Sequence, residues 1–287
     1  MGYSLTGANG DTIVFDYDNF VLTPSINGFG IPPTSVRIDE SSRDGGVFRN
    51  SRKLVRNVDL PVVVLGSNAE DVETKLRQLS RLVQDQQGPT TLTAIRFDET
   101  GDPDDLFLEL HYTGGAELSY GESSGGREWA KLLLSFQAPQ PYWESATAES
   151  FTVSSGQTGR GLLPQLTQLK LSSSQALGVI DVDNTSDVPV FPVYVIQGPV
   201  TDLRVTNGEL AWEIEGVIAE GDIVTVDTEA GTVTGIGGVN LYSRLKPAPK
   251  LFPFQPGLST INVEGIDANI NTLITCSYNL RFEVVHG

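Results

Sequence analysis

The chain has 287 residues, 39% of them hydrophobic, with 30 glycines, 16 prolines, one cysteine and a formal net charge of −17. This length fits two domains, and the glycine and proline content suits a turn-rich, mostly β protein. No apolar run is long enough to span a bilayer as a helix, the single Cys276 excludes an internal disulfide framework, and the acidic balance argues against sequence-specific nucleic-acid binding.

Short strands open the chain at Thr12-Ile13-Val14-Phe15 and Phe20-Val21-Leu22, around the turn Asp16-Tyr17-Asp18-Asn19. Gly28 to Pro33 is a break, after which Val36-Arg37-Ile38-Asp39 alternates up to a glycine-containing tip at Ser41 to Gly46. The following stretch holds Arg43, Arg49, Arg52, Lys53 and Arg56 against Asp44 alone, a local charge of +4 in an acidic chain. Two readings stand. One is a solvated hairpin arm. The other is an arm that docks on an acidic neighbouring subunit or partner, where complementary charge sets the register. Phe48 is its sole aromatic, so a nucleic-acid surface built on base stacking fits poorly.

Val58, Leu60, Val62 and Val64 alternate, with Val63 and Leu65 on the other face, which predicts a strand buried on both sides near its end. The stretch Ser67 to Pro89 then predicts the one clear helix, over 68–87. Ser67 and Glu70 fit a capping box, and Glu70, Asp71 and Glu73 place negative charge at the positive end of the dipole. Val72, Leu76, Leu79 and Val83 form one apolar stripe, so the helix lies on a sheet. Gly88-Pro89 is the stop signal. Strands follow at Thr91 to Phe97, around Leu106, Leu108 and Leu110, and from Trp129 to Phe136. The first domain closes at Ala138-Pro139-Gln140-Pro141-Tyr142-Trp143-Glu144, giving domains at 1–145 and 146–287.

Residues 145–175 read as a polar connection with a weak strand at Ser150 to Val153. The rest reads as all β. Val188 to Ile196 carries two prolines, which argue for an edge strand or for the first residues of one. Asn207-Gly208 marks a hairpin, and Glu229-Ala230-Gly231 a second. The last strand runs from Ile274 to Val284, with Cys276, Tyr278, Leu280 and Phe282 on one face, where Cys276 is a core residue.

Catalytic and metal chemistry finds little footing. Only His111 and His286 are present, so a histidine-rich zinc site is out, and a Ser-His-Asp arrangement would depend on one of them. No catalytic, cofactor-binding or metal-ligating residue is therefore assigned. The acidic runs Asp98 to Asp105 and Asp181 to Asp187 could hold calcium, although neither has EF-hand spacing. Carboxylates for a glycosidase are plentiful, but nothing singles out a pair. Trp212, Tyr242 and Phe252 could offer an aromatic platform to a glycan, set against a core role for Trp212 between Leu210 and Ile214.

The order of these segments resembles the distal tail proteins of long, flexible-tailed (siphovirus-type) bacteriophages. The resemblance rests on Arg49 to Leu65, the helix and Gly88-Pro89-Thr90-Thr91-Leu92, on the Pro141-Tyr142-Trp143 corner, and on Asp183 to Pro192. Gly221 to Thr228 and Phe254 to Ile261 extend it over most of the chain. It implies an α+β N-terminal domain with one helix on a β-sandwich, tail-tube-like, which forms a ring. It also implies a galectin-like all-β sandwich facing outward. By the same resemblance the protein is a structural, non-enzymatic component of the virion tail tip or baseplate, made in the host cytoplasm. It would form a homo-hexamer joining the tail tube protein to the tail tip hub protein. The bore would pass DNA and house the end of the tape-measure protein, and no cofactor or membrane insertion is implied. The partner-docking residues on this reading are Arg43, Arg49, Arg52, Lys53 and Arg56. A carbohydrate-binding module and a glycosidase are the rival readings.

Overall fold

The structure is a computed structural model that describes residues 2–40, 44–84, 88–96, 104–117, 126–154 and 176–285. The chain is mostly β and divides into two compact units, Met1–Thr147 with Phe282–Gly287, and Ala148–Arg281. The division falls two residues beyond the predicted one, and the C-terminal residues return to the first unit.

The first unit contains β1 (Gly2–Thr6), β2 (Thr12–Phe15), β3 (Phe20–Leu22), β4 (Thr34–Glu40), β5 (Gly46–Lys53) and β6 (Arg56–Leu65). The helix α1 (Ala69–Leu82) comes next, then β7 (Thr90–Ile95), β8 (Leu106–Gly114), β9 (Trp129–Ala138) and β10 (Trp143–Ser145). An antiparallel sheet runs in the order β2-β1-β7-β8-β9-β6-β3, with β10 attached along β8. Alternation explains its core. Val58, Leu60, Val62 and Val64 of β6 are buried, as are Leu132, Leu134 and Phe136 of β9 and Leu106, Leu108 and Leu110 of β8. Val63 and Leu65 are only half-buried, so β6 alternates to its end and the expected two-sided burial is not found.

The helix α1 packs on β6 and β9 through Val72, Leu79 and Leu82, with Leu76 at the margin of the core. Its cap sits one residue later than the sequence suggested. Asn68 is the N-cap and accepts from the Asp71 N–H at 3.0 Å. The Asp71 carboxylate reaches back to the Ser67 N–H at 2.9 Å, so Asp71 takes the role expected of Glu70. The helix ends at Leu82 with Val83 as C-cap, short of the predicted 87.

The second unit is a sandwich of two antiparallel sheets. Its strands are β11 (Glu149–Ser154), β12 (Ala176–Asn184), β13 (Val193–Gln197), β14 (Val200–Asn207), β15 (Leu210–Ile218), β16 (Ile223–Asp227), β17 (Thr232–Gly235), β18 (Gly257–Ile266) and β19 (Leu273–Tyr278). One sheet is ordered β11-β19-β13-β16-β17 and the other β12-β18-β14-β15. Tyr194, Ile196, Val226, Ile274 and Cys276 from the first meet Leu203, Val205, Trp212, Ile214 and Val263 from the second in one core. Both predicted hairpins form. Gly208, at φ 57°, turns β14 into β15, and the Asp227 side chain accepts from the Glu229 and Ala230 amides before β17.

Of the two readings of the Pro189–Pro192 stretch, the opening residues of a strand hold and the edge strand does not. The strand begins after Pro192 and β13 lies between β19 and β16, so the missing amides fall outside the ladder. The strand expected from Ile274 to Val284 is interrupted: β19 ends at Tyr278, and a separate two-residue strand, β20 (Arg281–Phe282), follows. Arg281 holds Glu229 with two ion-paired hydrogen bonds of 2.9 and 2.6 Å, whereas Phe282 and Val285 join the core of the first unit.

Candidate assembly surface

The basic stretch folds as an isolated hairpin. Strands β4 and β5 pair only with each other, and their residues are exposed along nearly the whole length. The register sets Ile38 opposite Phe48 and Arg37 opposite Asn50, leaving Arg49 as the extra residue of a bulge. Val36 and Ile38 lie two apart on one face, so Val36, Ile38 and Phe48 form an apolar strip. Ile38 is 58% and Phe48 60% exposed. A two-stranded ribbon is marginal alone in water, and a strip of this kind is stabilised when a partner covers it.

The other face is charged. The Arg49 Nε donates to Asp39 Oδ2 at 2.6 Å, and Arg37 lies 3.6 Å from the same carboxylate. Arg52 is exposed, with no ion pair or hydrogen bond among the described residues. Lys53, at the end of β5, pairs with Glu283 at 2.7 Å. Arg43 lies outside the described residues.

Arg56 differs in kind from the other four. It is 1% exposed and donates to four backbone carbonyls: Gly28 at 2.5 Å, Gly30 at 2.7 Å, Pro141 at 2.6 Å and Glu283 at 2.7 Å. Burial lowers its pKa to about 10, opposed by the nearby Glu283 carboxylate, so it stays charged at neutral pH. Its side chain therefore faces inward at the foot of the hairpin and holds the 28–30 loop, the Pro141 corner and the C-terminal segment together. Gly28 passes so close that a Cβ there would lie 2.1 Å from the Asn57 carbonyl, and its φ is 91°. A cleft of about 330 Å³, lined by Asn27, Ile31, Pro32, Pro33 and Arg56 among others, opens beside this knot. The Leu54 N–H donates to the Pro33 carbonyl at 2.8 Å and closes the hairpin's base.

Of the five basic residues, the structure thus brings Arg49, Arg52 and Lys53 to the arm's surface or root and turns Arg56 inward. The apolar strip was not singled out from sequence, although the alternation of Val36 and Ile38 opposite Phe48 carries its signal.

The other sites weighed from sequence are placed as follows. Trp212 is 1% exposed, edge-on to Tyr194 at 5.1 Å, and Phe252 is also in the core. Only Tyr242 is exposed, so the three make no common platform. Residues 98–103 of the first acidic run lie outside the described residues; Asp104 pairs with Arg96 at 2.5 Å and Asp105 accepts the Arg96 amide at 2.8 Å. In the second run, Asn184 bonds the Val188 and Phe254 carbonyls and caps Ser186, which is turn chemistry. Among the described residues no group of three or more His, Cys, Asp or Glu side chains is arranged to hold a metal. His111 lies in β8 and His286 lies outside the described residues. Cys276 is buried, which pushes its thiol pKa well up and leaves it unreactive.

Solved structures share this fold along the whole chain. The Dit (gp 19.1) protein of phage SPP1, described as a hub adsorption apparatus in Gram-positive infecting phages, is 13% identical. The match covers 98% of this chain and 99% of that one, with a TM-score of 0.67. A chain of the phage P2 baseplate in its activated conformation with Ca is 11% identical at a TM-score of 0.55, covering 99% of both chains. The same baseplate with Sr gives 11% and 0.54 over the same coverage. No family model matches the sequence, and no curated protein matches it.

Proposed function

We propose that this chain is a structural protein of the distal tail of a long-tailed bacteriophage, which closes into a hexameric ring between the tail tube and the tip complex. The observation that carries this reading is the unsupported β4–β5 arm, with an apolar strip on one face and charge on the other. An arm of this kind is stabilised by a neighbour that covers the strip and presents carboxylates to Arg49 and Arg52. The full-length likeness to tail hub and baseplate proteins supports the same reading.

On this account the first unit makes the ring and the second faces outward. The neighbour on which each arm docks is a second copy of the chain. The tube protein, the hub protein and the end of the tape-measure protein contact the ring, and DNA passes through its bore. The charge of −17 suits that passage, because basic contacts would hold a polyanion in place. The protein acts without catalysis, and it is placed at the virion tail tip after synthesis in the host cytoplasm.

The test is the mass of the full chain in solution and in the presence of assembled tail tubes, measured by light scattering and mass photometry. Six-fold species that form alone or on tube ends are expected. Monomers that neither self-associate nor bind tubes at any concentration contradict the proposal.

A further inference from the structure

The two outer faces of the second unit's sandwich differ in charge. In the β11-β19-β13-β16-β17 sheet, Val153, Cys276, Tyr194, Val226 and Val233 point into the core, so the residues alternating with them turn outward. The ladder register lines these outward residues into rows. Thr152, Thr275, Val195, Thr225 and Thr234 stand side by side in one row across all five strands. Leu273, Gln197 and Ile223 belong to the next. Val195, Leu273 and Ile223 are all exposed.

Asp227 is the one formal charge among the described residues of these strands that face outward, and its Oδ1 is turned to the Glu229 and Ala230 amides of its own turn. The β12-β18-β14-β15 sheet is the opposite case. There Asp181, Arg204, Glu213, Glu215 and Glu264 alternate with core residues and face out. In a chain of charge −17, the neutral face is where another acidic surface can approach with least repulsion. Threonine and valine keep to few χ1 rotamers, so fixing them in a contact costs little side-chain entropy. Five strands about 4.8 Å apart, each with outward residues about 6.8 Å apart, present roughly 500 Å² per copy. A pair would bury about 1,000 Å², the lower bound for a specific interface.

We propose that this face pairs with the same face of a second copy across a two-fold axis, sheet on sheet about 10 Å apart. The chemistry selects that occupant. Each threonine hydroxyl both donates and accepts, so rows of hydroxyls and methyls complement their own image. A charged partner surface would lose its water against groups that offer no counter-ion. The partner's face is therefore uncharged, and every copy of the chain carries one that matches in width and spacing. No lysine or arginine lies among the described residues of the face, so a phosphate backbone finds nothing to pair with. An extended peptide needs a free strand edge, which a sheet face does not give. The small area makes the contact weak. It lies wholly within the second unit and uses none of the arm's residues, so it goes beyond the ring and does not rest on it.

Sedimentation equilibrium tests the proposal on the full chain carrying Ile38→Ser and Phe48→Ser, which removes the arm's apolar strip. A monomer–dimer equilibrium with a Kd of about 0.1 mM is expected. It should tighten as salt is raised, because pairing brings two acidic chains together. In that background Val195→Lys and Thr225→Lys should each weaken the dimer by about tenfold or more at an unchanged melting temperature, since each buries an unpaired cation. Arg204→Ala, on the opposite face, should leave it unchanged. A pure monomer up to about 1 mM overturns the proposal, as does a dimer that survives both lysine substitutions or one that dissociates at high salt. Six-fold species of the wild type beside a strictly monomeric arm variant defeat this contact alone. A chain that pairs through this face but never forms six-fold species defeats the ring reading alone.

Discussion

Replacing Arg56 by Met removes the guanidinium while keeping most of its aliphatic bulk, and so isolates the four hydrogen bonds at the foot of the arm. Bonds from a charged donor contribute about 1.5–3 kcal/mol each. Burying the cation, which lowers its pKa to about 10 from the ordinary guanidinium value, offsets roughly 3 kcal/mol of that sum. Relaxation lets some of the freed carbonyls find water, which places the net loss near the low end, about 3–5 kcal/mol. For a unit of this size each kcal/mol lowers the melting temperature by about 2–4 °C. The first unit's transition should therefore fall by about 10 °C in calorimetry. Hydrogen exchange should localise the damage, because the Val285 amide bonds the Phe29 carbonyl at 3.2 Å beside this knot. Exchange at Val285 should accelerate, while that of Val205 and Ile274 in the second unit stays the same. A melting temperature within about 2 °C of wild type, with unchanged protection at Val285, would refute the role assigned to Arg56.

Other outcomes follow from the same reasoning. Ile38→Ser with Phe48→Ser should abolish or strongly weaken assembly while changing monomer stability by no more than about 1 kcal/mol, since both side chains are exposed; calorimetry and light scattering on one sample check both halves. Reversing charge at Arg49, Arg52 and Lys53 should weaken assembly more at low salt than at high, read by sedimentation across ionic strengths. Asn68→Ala should cost about 1 kcal/mol in denaturant unfolding, and Ser67→Ala distinctly less, because Asn68 is the cap. The Asp71 carboxyl is held below its ordinary pKa, first by the Ser67 amide and then by Lys75. A lowered carboxyl pKa stabilises the fold above the unfolded value of 3.8 and loses that contribution as pH falls through the folded value. Asp71→Asn should flatten the acid limb of the stability profile below about pH 4, followed by circular dichroism.

The elements that were legible are those in which one periodicity dominates. Helix α1 and strand β6 carry clean 3.6- and 2-residue patterns, and the turn at Asn207-Gly208 has a backbone reason to form. Other features were hidden for physical reasons. Arg56 stands in a row with Arg49, Arg52 and Lys53, and nothing local marks it as the one whose donors meet four distant carbonyls. The alternation of Val36 and Ile38 looks the same whether the strand faces its own core or a neighbour's. Pro189 and Pro192 argued equally for an edge strand or for the opening of a strand, because proline lacks an amide in either place, and only the ladder of β13, which starts at Val193, decides between them. The apolar alternation from Ile274 to Val284 continues unbroken in sequence while the chain passes from one core to the other, since each core asks only for buried side chains.

The arm's covering partner carries the whole account, and a cryo-EM reconstruction of the assembled tail end addresses it most directly. The account predicts six copies of this chain around an open bore, each with Ile38 and Phe48 pressed against the adjacent copy. Density for an isolated copy, or for a ring in which every β4–β5 arm projects uncovered into solvent, would contradict it.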